Sequence, residues 1–222
     1  ESGNCISIGE PVAVTVTPSI TNTITSANQV VCAGETISQI TGAVSGGNPD
    51  DVSYQWEESA NGTSGWGNAP GASRALNYTP EAEVVTTSKT TYYRRKVVSG
   101  NCTSFSEPVS VRIVAMPVAE ILDGTNDYFC PPASATLTAR TGAGYRYTWY
   151  KVVEGGDDEQ VGADQNTYTT NVEGYYYVVV KGENDCTSTS SVTRVQSTIL
   201  NTNIISGEQT ICYNTVPATL QG

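Results

Sequence analysis

The sequence repeats itself, and this repeat constrains the fold more than any other feature of the chain. Three segments combine a cysteine motif with a valine-rich alternating run, at residues 2–16, 99–113 and 184–195. In the first two, the motif is Ser-Gly-Asn-Cys and the run opens with Glu-Pro. Self-similarity of this kind is the signature of a repeat architecture. The chain is therefore predicted to consist of consecutive copies of one structural unit.

A second recurring block, which contains its own cysteine, fixes the phase of the repeat. It occurs at residues 27–42 and 127–138 and, in part, at 208–212. In this phase the chain has four segments, namely the last strand of a preceding repeat (1–18), two whole domains (19–117 and 118–198) and the first strands of a following repeat (199–222). The chain is thus predicted to be part of a longer array.

Each whole domain contains short runs of alternating apolar and polar residues that are bounded by turn residues, such as 92–98 and 175–180. About seven strands of this kind in about 80–100 residues are typical of an immunoglobulin-type β-sandwich. We therefore predict an all-β chain of tandem immunoglobulin-like β-sandwich domains. The junctions around Pro18 and Pro117 are short, which favours an elongated, semi-rigid rod.

The alternation also predicts which side chains form the core. One tryptophan follows the first cysteine of each domain, and both tryptophans, Trp56 and Trp149, are predicted to point inward. Tyr93 and Tyr176 on later strands share that face. The same count places Arg95 inward, where either its stem would reach past the sheet edge or a buried carboxylate would pair with it.

Aromatic side chains on the outward face are the best candidates for a ligand-binding site. Tyr150, Tyr175 and Tyr177 lie on adjacent predicted strands of the second domain, and aromatic rings bind sugars by stacking. They form a candidate platform for a surface polysaccharide. Alternatively, a tyrosine-rich outer face packs against a neighbouring module or loop. In the first domain, outward Arg94 beside Glu57 is predicted to form a solvated charge cluster, and Trp66 is a candidate surface anchor.

The composition excludes several functions. The 11 basic and 22 acidic residues give a net charge of −11, which argues against nucleic acid as a partner. The sequence contains no histidine, so an imidazole base or metal ligand is absent. No apolar run is long enough to cross a bilayer, and no Gly-x-Ser-x-Gly motif or phosphate-binding loop occurs. We therefore predict that the chain is not an enzyme, needs no cofactor and does not insert into membranes.

Calcium is the one metal that the sequence suggests. Asp123 and Asp127 belong to an acidic stretch near the domain junction, and residues 157–159 form a second one. Neither stretch matches the Asp-x-Asp-x-Asp-Gly loop that binds calcium in helix-loop-helix proteins. The alternative is a solvated acidic turn that keeps a long protein in solution.

Aromatic, turn and cysteine positions form a recognisable motif string. It comprises Tyr54-Gln55-Trp56, Asn61-Gly62, Trp66, Tyr78-Thr79-Pro80 and Cys102 in the first domain, and Tyr147-Thr148-Trp149, Gly174-Tyr175-Tyr176 and Asp185-Cys186 in the second. At these positions the sequence resembles the tandem immunoglobulin-like repeats of very large secreted surface proteins of the Bacteroidota. The resemblance implies a stalk of an adhesin exported by type IX secretion, similar to the gliding-motility adhesin SprB. It also implies that Trp66 is a structural plug rather than a surface anchor.

Six cysteines without a Cys-x-x-Cys pair indicate structural disulfides and an extracellular location. The favoured pairing joins the two cysteines of each repeat, Cys32 with Cys102 and Cys130 with Cys186. A topological difficulty opposes it, because these positions lie at opposite ends of a plain immunoglobulin sandwich. The near-constant separations of 27, 28 and 26 residues for Cys5–Cys32, Cys102–Cys130 and Cys186–Cys212 leave a junction-spanning pairing open.

The function predicted from these features is mechanical and adhesive. The chain is expected to be part of an acidic, disulfide-braced stalk on a bacterial cell surface, with neighbouring repeats of the same chain as its main partners. Two alternatives remain: a carbohydrate-binding accessory region of a large secreted enzyme, and a filament subunit whose edge strands pair between chains.

Overall fold

Short runs rich in valine, threonine and tyrosine form strands in the computed structural model, which describes residues 3, 9–14, 16–123, 127–198 and 206–220. The chain divides into a first unit, Glu1–Met116, and a second unit, Pro117–Gly222. Helix in the described ranges consists of two 3₁₀ turns, Pro49–Asp51 and Glu183–Asp185. The prediction of an all-β chain is confirmed.

The first unit is a sandwich of a large sheet and a small one. Its strands are β1 (Thr21–Ile24), β2 (Gln29–Cys32), β3 (Gly42–Ser45), β4 (Val52–Ser59), β5 (Gly67–Asn68), β6 (Lys89–Ser99), β7 (Cys102–Phe105) and β8 (Val109–Val114). The large sheet has the order β2-β8-β6-β4-β5, with β7 also paired to β6. The small sheet pairs β1 with β3, and an isolated bridge joins Ile40 to Tyr78.

The second unit repeats this plan. Its strands are β9 (Tyr128–Phe129), β10 (Ala135–Thr138), β11 (Arg146–Lys151), β12 (Glu159–Ala163), β13 (Thr167–Thr170), β14 (Gly174–Lys181), β15 (Thr187–Thr189) and β16 (Thr193–Ser197). The large sheet has the order β12-β11-β14-β16-β9, with β15 also paired to β14, and the small sheet pairs β10 with β13.

The core of the first unit is built on three aromatic rings. Trp56 is fully buried and stacks on Tyr78 with ring centroids 5.7 Å apart, and Tyr78 contacts Tyr93 at 5.5 Å. The indole N–H of Trp56 donates to the carbonyl of Ala75 at 3.0 Å, which satisfies the one polar atom of the ring.

The core of the second unit has the same three rings. Trp149 is fully buried and stacks on Tyr168 at 5.9 Å, and Tyr168 contacts Tyr176 at 5.6 Å. The indole N–H donates to the carbonyl of Gln165 at 3.0 Å. The alternation therefore places both tryptophans, Tyr93 and Tyr176 where the structure buries them.

The first and last strands of each large sheet run parallel to each other. In the first unit, β2 pairs with β8 over four residues, from Gln29 opposite Val111 to Cys32 opposite Val114. In the second unit, β9 pairs with β16 over two residues, Tyr128 opposite Gln196 and Phe129 opposite Ser197. The strand through which the chain enters each large sheet thus lies beside the strand through which it leaves.

The described residues of the segments that flank the two sandwiches include strand-like sequences with exposed side chains. Val12, Val14 and Val16 are each at least 85% exposed, although they occupy the repeat positions of Val109, Val111 and Ile113, which are buried in β8. At the other end, the Gln209 amide bonds both backbone groups of Ala218, as the Gln29 amide does at Ser38. The assignment of 1–18 and 199–222 to neighbouring repeats stays a prediction.

Candidate functional site

Registers between the central strands define equivalent positions in the two units. Trp56 on β4 lies opposite Arg95 on β6, and Trp149 on β11 lies opposite Val178 on β14. The backbone N–H of Arg95 donates to the Ser106 hydroxyl, and that of Val178 donates to the Ser190 hydroxyl, at 2.9–3.0 Å. The N–H of each serine donates back to the carbonyl of the same partner at 2.9–3.0 Å. The same cross-strand site therefore holds a cation in the first unit and an aliphatic side chain in the second.

Arg95 is completely buried and is surrounded by neutral acceptors. Its guanidinium donates four hydrogen bonds: Nε to Oδ1 of Asn22 at 3.0 Å, Nη1 to the carbonyl of Leu76 at 2.7 Å, and Nη2 to the carbonyls of Thr23 at 3.2 Å and Ala43 at 3.0 Å. Thr23 and Ala43 belong to the small sheet. The side chain thus links the two sheets across the core, where a disulfide joins the sheets of antibody domains.

Neither sequence-based expectation for Arg95 is correct. Its stem does not reach past the sheet edge, and its hydrogen-bond partners among the described residues are carbonyl oxygens and an amide rather than a carboxylate. Burial lowers the pKa of Arg95 because water no longer solvates the charge. The carbonyl dipoles hold the cation instead, and periodicity could not reveal them because they come from three distant segments.

The outward neighbour of Arg95 forms a second cluster. Arg94 makes an ion pair with Glu57 at 2.7 Å, and its guanidinium lies 4.2 Å from the ring centroid of Trp66 and 4.3 Å from that of Phe105. The predicted pairing of Arg94 with Glu57 is present. Trp66 is not a plug in the core, because it is half-buried and lies against an outward arginine.

The outward tyrosines of the second unit lie at the equivalent outer site. Tyr150 and Tyr177 are opposite each other and stack with centroids 5.2 Å apart and an interplanar angle of 12°. The Tyr177 hydroxyl donates to Asp158 at 2.9 Å, and burial followed by Asp158 raises the pKa of Tyr177. Tyr175 is half exposed, with Arg194 5.9 Å from its ring centroid. Ligand binding by these tyrosines stays a prediction.

The cysteine pairings favoured by the sequence are not formed. Cys102 and Cys130 are free thiols, as is Cys212, whereas Cys32 and Cys186 are each disulfide-bonded. The physical reason is distance within each unit. Cys32 is the last residue of β2 and lies at the end where β8 finishes, but Cys102 begins β7 at the far end of the eleven-residue strand β6. Cys5 lies outside the described residues.

No arrangement of side chains in the described residues supports the predicted calcium sites. Within the described ranges, no group of three or more acidic or cysteine side chains could hold a metal ion together. Residues 124–126, which separate Asp123 from Asp127, lie outside those ranges. Asp158 in the other acidic stretch already accepts hydrogen bonds from Tyr177 and from the backbone of Val153. A calcium site at Asp123 and Asp127 stays a prediction.

None of the helices in the described part of the chain has the length and apolar character that crossing a membrane requires.

Each of the two sandwiches matches a known family of protein domains. Residues 117–200 match the family described as Ig-like domain, CHU_C associated, and residues 21–115 match a domain of unknown function, DUF8696. No curated protein matches the chain.

Solved structures with a similar arrangement of strands include chains of several domains. The N-terminal four Ig domains of Dscam1 isoform 1.9 are 15% identical, with a TM-score of 0.40, and the match covers 87% of this chain and 48% of that chain. A marsupial T cell receptor is 11% identical (TM-score 0.46; 80% and 71% covered), and the three N-terminal domains of bacteriophage RB49 Hoc are 12% identical (0.43; 82% and 69%). The chain thus spans about half the length of the Dscam1 chain.

Strand order, the inter-sheet cores and the family match define the class of protein: the chain contains tandem immunoglobulin-like domains. More particularly, its second unit matches the CHU_C-associated family of Ig-like domains. Domains of this class are typical of adhesion and stalk regions.

Proposed function

We propose that the chain is a load-bearing, non-catalytic stalk segment of a large extracellular adhesin. The observation that carries the proposal is the parallel pairing of the first and last strands of the large sheet in each unit. Tension on the two chain ends pulls such a pair in opposite directions along its length. All ladder hydrogen bonds between the strands are then loaded together in shear, so the pair resists force better than one that unzips bond by bond.

Separate cores support the same function. Each unit has its own buried cluster around its own tryptophan, so one can unfold while the other carries load. The exposed Val12, Val14 and Val16 occupy repeat positions that are buried in β8, which supports further repeats in the parent protein. The acidic charge of −11 keeps such an array from self-association.

The resemblance to Bacteroidota repeats supports a cell-surface location, type IX export and a role in gliding as finer parts of this proposal. Disulfide-bonded Cys32 and Cys186 support an oxidising, extracellular compartment. A surface polysaccharide is the proposed ligand of the outward tyrosines, and repetition of weak sites along an array would make binding effective through multivalency.

Single-molecule pulling of the whole chain by its ends tests the load-bearing role. We expect two rupture events, with the higher force for the first unit because β2 and β8 pair over four residues and β9 and β16 over two. Val30→Pro and Val31→Pro form a matched pair, because adjacent N–H groups point to opposite sides of a strand and only one faces β8.

One of the two proline variants should lower the rupture force of the first unit much more than the other, and the second unit should keep its force in both. Low rupture forces in the unmodified chain, unchanged by either proline, would contradict a load-bearing role.

A further inference from the structure

The cysteines of the two units occupy two positions that recur with the fold. Cys32 and Cys130, the edge cysteines, stand at the end of β2 and directly after β9. Cys102 and Cys186, the turn cysteines, stand at the first residue of β7, just after the turn from β6, and in the connection from β14 to β15. The edge and turn positions of one repeat are well separated in each unit.

In the second unit, the separation follows from strand register. Phe129, next to Cys130, pairs with Ser197 near the start of β14, since Gly174 pairs with Val195. Cys186 lies at the other end of β14, where its carbonyl accepts a hydrogen bond from Gly182 at 2.8 Å. Seven residue steps along β14 span about 23 Å at roughly 3.3 Å per residue, whereas a disulfide requires Cα atoms within about 7 Å.

In the first unit, the separation is larger. Cys32 pairs with Val114, close to the start of β6, because Ile113 pairs with Lys89. Cys102 pairs with Ser99 at the end of β6. The ten steps between Lys89 and Ser99 span about 33 Å. No disulfide can therefore join an edge cysteine to the turn cysteine of its own repeat.

The two positions also differ in where the chain enters and leaves a repeat. Pro117, at the start of the second unit, lies against Gly182, beside the turn that contains Cys186. Pro18 accepts a hydrogen bond from Gly47 at 3.1 Å, and Gly47 lies against Ser99, beside the turn that precedes Cys102. Turn cysteines thus stand at the entry end of a repeat.

Edge cysteines stand at the opposite end, where the chain leaves the repeat. The backbone N–H of Thr198, just after β16, donates to Phe129 at 2.8 Å, and that of Ala33 donates to Val114 at 2.8 Å. One cysteine of each position is disulfide-bonded in this chain, namely Cys32 and Cys186, and one of each is free, namely Cys130 and Cys102. Both positions are therefore compatible with disulfide chemistry.

We propose that Cys130 is the site of a disulfide to the turn cysteine of the repeat that follows, and Cys102 the site of one to the edge cysteine of the repeat that precedes. The proposal rests on the tandem array of the proposed function. The exit end of one repeat is followed directly along the chain by the entry end of the next, so these are the two positions that a short junction brings near each other. A bond there restrains each junction covalently.

Formation of the bond is a two-electron oxidation that needs a disulfide oxidant, such as oxidised glutathione. The Cys130 thiolate attacks one sulfur of the oxidant and releases one glutathione thiolate, which leaves a mixed disulfide on Cys130. The thiolate of the turn cysteine then attacks the Cys130 sulfur and releases the second glutathione. The two protein thiols lose two protons and two electrons, and two molecules of reduced glutathione form.

The test compares the whole chain with an extended chain that carries a second copy of residues 117–198 directly after Thr198. The copy carries Ser191→Ala as a mass label. Both proteins are refolded in a glutathione redox buffer, alkylated without reduction and mapped by mass spectrometry. In the unextended chain, we expect complete alkylation of Cys130 and no peptide that links Cys130 to Cys186 or Cys32 to Cys102.

In the extended chain, we expect alkylation of Cys130 to fall at least tenfold and a linked peptide to join Cys130 to the labelled turn cysteine of the copy. Replacing that cysteine of the copy by serine should restore alkylation of Cys130. If the extended chain unfolds in three cooperative transitions but Cys130 is still fully alkylated, the proposed disulfide is wrong and the proposed tandem array is not contradicted. An extended chain without a third transition would overturn the array, and the proposal with it.

Discussion

The two units fill the same structural position with different side chains. Opposite the buried tryptophan, the first unit has Arg95 and the second has Val178. One residue earlier on the same strand, on the outer face, the first unit pairs Arg94 with Glu57 and the second stacks Tyr177 on Tyr150. The stacked tryptophan and tyrosines beneath these sites are alike in both units.

This difference shows that the aromatic frame defines the fold, while the site beside it accepts either a charged or an apolar side chain. A cation is tolerated because backbone carbonyls of Thr23, Ala43 and Leu76 point at it, and Asn22 completes the set. The cation therefore replaces part of the apolar packing with hydrogen bonds that reach the opposite sheet.

Removal of the buried guanidinium should have the largest effect. Arg95→Met leaves four acceptors without their donor, and we expect the free energy of unfolding of the first unit to fall by about 3–5 kcal/mol. The second unit should unfold as before. Calorimetry of the whole chain, in which we expect one transition for each unit, measures both values.

Val178→Ala is the matched control in the second unit, and its expected cost is about 1–3 kcal/mol, since it removes only methyl groups from a packed core. An Arg95→Met chain that loses no more stability than the Val178→Ala chain would show that the guanidinium hydrogen bonds contribute little.

Alkaline pH should destabilise the first unit next most strongly. Burial, followed by the charge of Glu58, raises the pKa of Tyr78 to about 12, and burial raises that of Tyr93 as well. An unfolded tyrosine ionises at about pH 10, so between pH 10 and 12 the unfolded chain releases protons that the folded unit retains. Stability is thus fully present below pH 10 and decreases as the pH rises towards 12.

Chemical denaturation of the first unit at pH 9, 10 and 11 measures this effect, with Tyr78→Phe as the comparison because phenylalanine cannot ionise. The variant should lose less stability than the unmodified chain over this range. Identical pH slopes for the two proteins would refute the role assigned to Tyr78.

The smallest expected effect concerns the outer site of the second unit. If Tyr175 and Tyr177 stack on sugars at about 0.5–1.5 kcal/mol per ring, Tyr175→Ala/Tyr177→Ala should weaken polysaccharide binding about tenfold on a glycan array. Arg94→Ala in the first unit is the control and should leave binding unchanged. Binding that survives the double change would remove these tyrosines from the ligand site.

Periodicity predicted much of the fold because the apolar contacts of a strand repeat every second residue. It placed Trp56, Trp149, Tyr93 and Tyr176 on inward faces and paired outward Arg94 with Glu57. It could not identify the partners of Arg95, because Asn22, Ala43 and Leu76 are far from it in sequence and lie on no shared pattern. The role predicted for Trp66 was wrong for a similar reason. Trp66 lies in a loop, where no alternation of apolar and polar residues predicts which way a side chain points.

The sequence by itself determined that this chain is a series of β-sandwich repeats, because alternation and internal repetition are local properties of the chain. The tertiary structure decided which cysteines can meet. Spacing along the chain does not state at which end of a strand a residue lies, and the register of β6 and β14 puts the edge and turn cysteines of each repeat at opposite ends. A disulfide requires proximity in space, and only the paired strands define it.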